Sequence, residues 1–158
     1  MSTINKPSLI TPFLWFDQNA EEAADFYISI FPNSRRTDQL LNPGDAPGPK
    51  GGVLTLTFEL DGARFIALNG GPGQKFSESI SFVVNCDTQE QIDHYWAKLL
   101  EGGGSEIACG WLKDKFGLRW QVTPTNIGQL VSHPKAMQAM MQMTKFDIAA
   151  LKTAAAES

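Results

Sequence analysis

The residues able to do chemistry are few in this chain and unevenly spread. Among 158 residues there are two cysteines, Cys86 and Cys109, two histidines, His94 and His133, and four tryptophans. The segment "CGWLKDKFGLRWQV" (109–122) gathers one cysteine and two tryptophans with Lys113, Asp114 and Arg119. A cysteine nucleophile needs a neighbouring base or cation to hold its thiolate. Neither histidine lies near Cys109 in sequence, and Cys86 closes an apolar stretch, so both thiols read as poor nucleophiles. A catalytic metal wants about three imidazole or carboxylate donors. His94 falls within a helical pattern and His133 at the start of another, which makes each structural or solvated. Glu59 and Asp61 come just before a hairpin turn and read as facing solvent.

Chemistry on a strand depends on which residues share a face, because successive side chains point to opposite sides. In "LRWQV", Arg119 and Gln121 share one face, and Trp120 and Val122 share the other. In "SISFVVNCD" (79–87), Ser79 and Ser81 oppose Ile80, Phe82 and Val84. The apolar triplet is expected under a helix and the serines toward an interior. If Gln121 faces that interior then Arg119 does too, which requires a carboxylate or an anionic ligand group beside it. The alternative is a polar interior satisfied by its own hydrogen bonds and water.

The elements that must position these residues occur twice. "LITPFLWFD" (9–17) is an apolar run followed by "QNAEEAADFYISIF", where Asn19 and Glu22 fit a helix cap and its partner. Ala23, Phe26, Tyr27 and Ile30 recur at helical spacing, and Pro32-Asn33 stops the helix. "SISFVVNCD" then "TQEQIDHYWAKLLEGGG" repeats the layout about 70 positions later, with Asp87 and Glu90 as the capping pair and Gly102–Gly104 as the stop. "GGVLTLTFELDGARFIALNGG" (51–71) alternates around a strong Asp61-Gly62 hairpin signal. In the second half a short strand is expected near Ile107, a turn at Lys113-Asp114 and a last strand over 118–122. The sequence is thus read as α+β, a single domain of two βαβββ modules at about 9–71 and 76–125, with a C-terminal helix at about 134–155. That helix carries four methionines within 137–143, a soft surface suited to its own domain or to a second copy. The loop "NPGDAPGPKGG" (42–52) reads as an irregular surface rim.

The bulk numbers exclude several partners. Net charge is -4, and the 13 Lys and Arg residues are scattered singly, so no basic face is available for nucleic acid or an anionic membrane. No 18-residue apolar run exists, and the N-terminus lacks a basic region followed by an apolar core. A cytoplasmic protein is expected, with no disulfide framework.

"ITPFLWFDQNAEEAADFYISIFPNS", "ELDGARFIALNGGP", "SISFVVNCD", "CGWLKDKFGLRWQVTP" and "QAMMQMTKFDIAALKTA", in this order, resemble the family named for 3-demethylubiquinone 3-methyltransferase, also called PhnB-like. It belongs to the glyoxalase, bleomycin-resistance and extradiol-dioxygenase (vicinal oxygen chelate, VOC) superfamily. The resemblance covers nearly the whole chain. It implies two βαβββ modules, each an incomplete barrel around a cavity, usually in a homodimer. Superfamily enzymes place His, Gln or Glu metal ligands on the first and last strand of each module. Carried over by motif, those positions fall at Pro12 or Leu14, at Ser79 or Ser81, at Asn69 and at Gln121. Two amides and a hydroxyl are a poor set for a divalent metal, so no metal and no cofactor is expected. The resemblance makes Asn69, Ser79, Ser81 and Gln121 candidate ligand contacts, and the shared strand face adds Arg119. Trp15, Trp111 and Trp120 are candidates for the cavity wall or for the core. The glycine clusters read as turns, because neither leads from a buried strand into a helix as a cofactor-binding turn would. The functional expectation is a small-molecule-binding, glyoxalase-like protein. The alternative is a VOC-type lyase, dioxygenase or transferase acting on a small metabolite, with any divalent metal bound by an unusual set including Gln121. A dimeric interaction protein using the methionine-rich helix is the third reading.

Overall fold

Apolar alternation in "LTLTFEL" sends Leu56, Phe58 and Leu60 to one face of a strand and threonines to the other, and a helix covers the apolar face. The structure, a computed structural model, describes residues 8–157, and the chain divides into two units, residues 1–75 and 76–158. The first runs β1 (Phe13–Phe16), α1 (Ala20–Ile30), β2 (Arg35–Leu41), β3 (Val53–Leu60) and β4 (Ala63–Asn69). Its sheet has the order β1-β4-β3-β2, with β1 parallel to β4 and the other pairs antiparallel. The second runs β5 (Phe82–Cys86), α2 (Gln89–Leu100), β6 (Ser105–Glu106), β7 (Trp111–Lys113) and β8 (Arg119–Pro124), in the matching order β5-β8-β7-β6. Again the first and last strands pair in parallel. The expected α+β pair of βαβββ modules is present, and each sheet is open rather than closed into a barrel.

In the first unit Ala20, Ala23, Ala24, Tyr27 and Ile30 of α1 are buried. The three alanines let the helix axis come close to Leu14, Phe16, Leu56, Phe58, Phe65 and Ala67 on the sheet. Phe58 and Phe65 are cross-strand partners and stack at 5.6 Å, a contact contributing about 1 kcal/mol beyond the area it buries. The hairpin at Asp61-Gly62 has positive φ at both residues, as a two-residue primed turn requires. The helix cap differs from expectation. Asn19 makes no side-chain cap; the Ala20 amide donates to Oδ1 of Asn69, from the far end of β4. The 42–52 loop is irregular, as expected, but wound around one buried side chain. Asn42 Nδ2 faces the carbonyls of Ala46, Pro47 and Gly48 at 3.1 Å each, and its Oδ1 accepts from Gly44.

In the second unit Ile92, Trp96 and Leu99 of α2 cover Cys86, Leu112, Trp120 and Val122. The capping pair is shifted by one from the expected Asp87: Thr88 is the cap and accepts from the Gln91 amide, while Gln91 Oε1 accepts from the Asp87 amide. The strand over 79–87 starts only at Phe82, and Ile80 is 61% exposed, so the expected apolar triplet loses its first member.

The single C-terminal helix expected over 134–155 is two helices, α4 (Pro134–Met141) and α5 (Ile148–Ala156), after a short α3 (Ile127–Leu130). The reason lies in the opening residues of the 109–122 segment. Cys109 and Gly110 both have positive φ, and their amides donate to the carbonyls of Met143 and Thr144 at 2.8 Å. Those carbonyls serve the hairpin, so the chain leaves the helix there, and Asp147 caps a new one by accepting from the Ala150 amide. Phe146 is buried where a Cβ on Gly110 would stand. Gly110→Ala therefore meets both a left-handed backbone and the Phe146 ring. It is expected to lower stability by about 2–4 kcal/mol in urea unfolding and to detach the 143–148 segment, seen as faster amide exchange at Cys109.

Candidate functional site

Each sheet gives one face to its helix, and most residues of the opposite face are only partly buried or exposed, Thr123 excepted. In the first unit that opposite face carries Phe13 and Trp15 on β1, Ile66 and Leu68 on β4, and Thr55 and Thr57 on β3. Phe13 is 54% exposed and Trp15 39%. Trp15 Nε1 donates to the Gly71 carbonyl at 2.9 Å, and its indole occupies the space a Cβ on Gly70 would need. The "NGG" ending of β4 is thus shaped to seat this tryptophan. Asn69 belongs to the helix side. It is 6% exposed, its Oδ1 takes the Ala20 amide at 2.8 Å and its Nδ2 donates to the Val53 carbonyl at 2.9 Å. Both ends of the amide are held by the fold.

The second unit brings together a more polar face. Gln121 is flanked by Trp111 on β7 and by Val83 on β5, and Arg119 is opposite Lys113. Gln121 Nε2 donates to Ser81 Oγ at 2.9 Å, so Ser81 lies on this face although it precedes β5. Ser79 pairs instead with Ser77 at 2.7 Å on an exposed turn. Arg119 Nη2 meets Glu78 Oε1 at 3.1 Å, the carboxylate that its placement demanded. The two partners differ in exposure: the Arg119 side chain is 14% exposed and that of Glu78 is 88%. Arg119 Nε is buried with no hydrogen-bond partner among the described residues, and so is the hydroxyl of Thr123. An unmet buried donor costs about 1–3 kcal/mol, and these two lie on the same face of β8, either side of Gln121.

Trp120 takes the helix side. It is 3% exposed and its Nε1 donates to Asp114 Oδ2 at 2.9 Å. Asp114, expected only as a turn residue, is 1% exposed, and its Oδ1 accepts from the amides of Phe116 and Leu118. It holds the β7–β8 turn and thereby the start of the strand bearing Arg119. Cys86 lies in the core, where burial pushes its thiol up to about 11, with Asp87 adding to the shift. The neutral thiol persists throughout physiological pH. Two members of the polar face escaped the sequence reading, Lys113 and Thr123. The alternation that united Arg119 with Gln121 reaches Thr123 by one more step of two residues.

Sites for the metal of VOC enzymes can be tested against these residues. The first strand offers Phe13 and Trp15, Asn69 is engaged at both ends, and Gln121 is bonded to Ser81 and shares its strand face with the cation of Arg119. Among the described residues no three His, Cys, Asp or Glu side chains cluster. A fixed cation with amide and hydroxyl neighbours repels a divalent ion, so the residues do not fit one.

A family model described as 3-demethylubiquinone-9 3-methyltransferase matches residues 8–123. A Bacillus cereus PhnB protein that carries the 3-demethylubiquinone-9 3-methyltransferase name is 33% identical, with a TM-score of 0.67 over 74% of this chain and 99% of that one. A Pseudomonas aeruginosa protein is 23% identical, with a TM-score of 0.59 over 73% of this chain and 96% of that one. A fosfomycin resistance protein, FosX, from Mesorhizobium loti shares the fold at 11% identity and a TM-score of 0.51, over 83% of this chain and all of that one. No curated protein matches. Among the described residues, no helix is long and apolar enough to cross a membrane.

Replacing Asn69 by Ala removes two buried hydrogen bonds at the start of α1 and the end of β4. The expected loss is about 2–4 kcal/mol of unfolding free energy, measured by urea titration of the whole chain. An unchanged midpoint would overturn the clamping role of Asn69.

Proposed function

The chain belongs to the 3-demethylubiquinone-9 3-methyltransferase family, the PhnB-like branch of the VOC superfamily, and on that premise we propose that it binds a small molecule on the polar sheet face of residues 76–158 without a catalytic metal. The observation that carries this reading is Arg119, a largely buried cation that stands beside Gln121 on the last strand. Gln121 and Ser81 supply amide and hydroxyl hydrogen bonds, and the half-buried Trp111 supplies a flat apolar wall. Such a mixture, mostly apolar with a few fixed polar groups, suits a small organic ligand. Ser79 is a weaker contact on this reading, and Trp15 lines the corresponding face of the first unit.

The methyltransferase name implies S-adenosylmethionine, a nucleotide-type cofactor with its own demands on the fold. A nucleotide-type cofactor is commonly cradled by a glycine-rich turn between a strand and the N-terminus of a helix. The strand-to-helix turns are Asp17–Asn19, Asp87–Thr88 and Thr125–Asn126, none with a glycine, and the first amide of α1 is already taken by Asn69. The glycine-rich segments at 44–52 and 70–73 lie in the β2–β3 and post-β4 loops, and Gly102–Gly104 follows α2. The residues do not fit the cofactor, and no methyl-transfer step follows from them.

A homodimer is part of the same reading. Leu40 and Leu41 on β2 and Met137 and Met141 on α4 are exposed apolar side chains that a second copy would cover. Sedimentation is expected to give twice the 17.3 kDa chain mass; a clean monomer at micromolar concentration overturns the dimer.

The binding reading is tested with uncharged phenol and with benzoate as probes, after dialysis of the protein against EDTA. Saturable amide shifts at Trp111, Gln121 and Val83, together with metal content far below one ion per chain, are the expected result. Stoichiometric zinc, iron, nickel or manganese that restores binding to a chelated protein would overturn the metal-free reading. Absence of shifts with both probes would overturn the site.

A further inference from the structure

We infer that the small molecule is an acid, whose carboxylate or phosphate oxygens are held by Arg119 and whose far end carries a second hydrogen-bonding group for Thr123. This rests on the binding face proposed above and adds the chemistry of its ligand.

Arg119 presents five N–H donors in a planar fork that suits the oxygens of a carboxylate or phosphate. In the structure one nitrogen, Nη2, meets Glu78, and Nε is buried without a partner among the described residues. The Glu78 side chain is 88% exposed, so the pair lies at the edge of solvent and is readily exchanged. Lys113 is the cross-strand partner of Arg119 and adds a second positive charge to this end of the face. A buried guanidinium whose acid partner is exposed is poised for a stronger, drier oxyanion.

The other end is set by Thr123, buried with an unpartnered hydroxyl. It lies four residues along β8 from Arg119, a backbone span of about 13 Å, which the long arginine side chain can shorten. Between them lie Gln121, held by Ser81, and its cross-strand neighbour Trp111. The order along the strand is therefore cation, amide beside an indole, and hydroxyl. A ligand matching that order has an oxyanion, a flat or apolar middle, and a polar group opposite.

Phenol, benzoate, inorganic phosphate and 4-carbamoylbenzoate separate the possibilities, with binding read from amide shifts and from the Arg119 Nε–Hε signal. Benzoate or phosphate is expected to bind about tenfold more tightly than phenol, and the tighter of the two identifies the oxyanion. Arg119→Met should remove that advantage, and Arg119→Lys should restore part of it. Glu78→Gln removes the competing carboxylate and should tighten acid binding about threefold. A merely structural ion pair would not produce that gain. Thr123→Val should weaken 4-carbamoylbenzoate and spare benzoate. If Arg119→Met fails to fold, the Glu78→Gln and Thr123→Val results decide. Acids binding no better than phenol overturn the inference and leave the binding face standing; silence from all four probes overturns both.

Discussion

Strand alternation under a single helix is the constraint on which the rest of the structure depends. A four-stranded sheet has two faces, and one amphipathic helix can cover only one of them. In each unit the chain commits its even-numbered β1, β3 and β5 and its corresponding β4, β7 and β8 positions to that covered side, as at Leu56, Phe58, Leu112 and Trp120. The remaining positions inherit the opposite face, where side chains are free of the helix. The polar groups of the second unit lie there by exclusion: Gln121 can meet Trp111 and Ser81 because its neighbours Trp120 and Val122 are engaged beneath α2.

The covered side is apolar, yet each unit also buries a polar clamp there. Asn69 ties the last strand to the first amide of α1, and Asp114 ties the β7–β8 turn to the indole of Trp120. Both groups satisfy backbone amides that would otherwise be left without partners away from water. Both also fix register. A one-residue slip of β4 or β8 would turn every side chain to the wrong face and break the clamp at once. The clamps thus protect the position of opposite-face residues they do not touch.

The alternation and the repeat were legible in the sequence because they are properties of local residue order. The two strand-helix units, the Asp61-Gly62 turn and the common face of Arg119 and Gln121 all follow from spacing. What was not legible depends on partners distant in the chain. Asn19 has the right type for a cap, but Asn69, fifty positions later, provides it. The C-terminal methionine stripe has helical spacing throughout, but the Cys109 and Gly110 amides take two of its carbonyls and break it. Asp114 looks like an ordinary turn residue until Trp120 folds back on it. Thr123 could have been found from alternation alone, although only burial distinguishes its hydroxyl from an ordinary surface one.

The polar face of the second unit carries a fixed charge of a different kind from the divalent ion that VOC enzymes would hold. A divalent metal in such a site would supply a fixed positive charge on which ligand oxygens converge. Arg119 supplies a fixed positive charge from the same strand that carries Gln121, with directional N–H groups in place of coordination bonds. The two solutions exclude each other, because a cation placed near a guanidinium loses what the carboxylate or imidazole ligands would have given it. Guanidinium also does not polarise a bound oxygen as strongly as a metal does, so it favours holding an acid over activating it. On the proposed reading, Arg119, Gln121 and Ser81 suit this face to recognition of oxygen more than to chemistry on it.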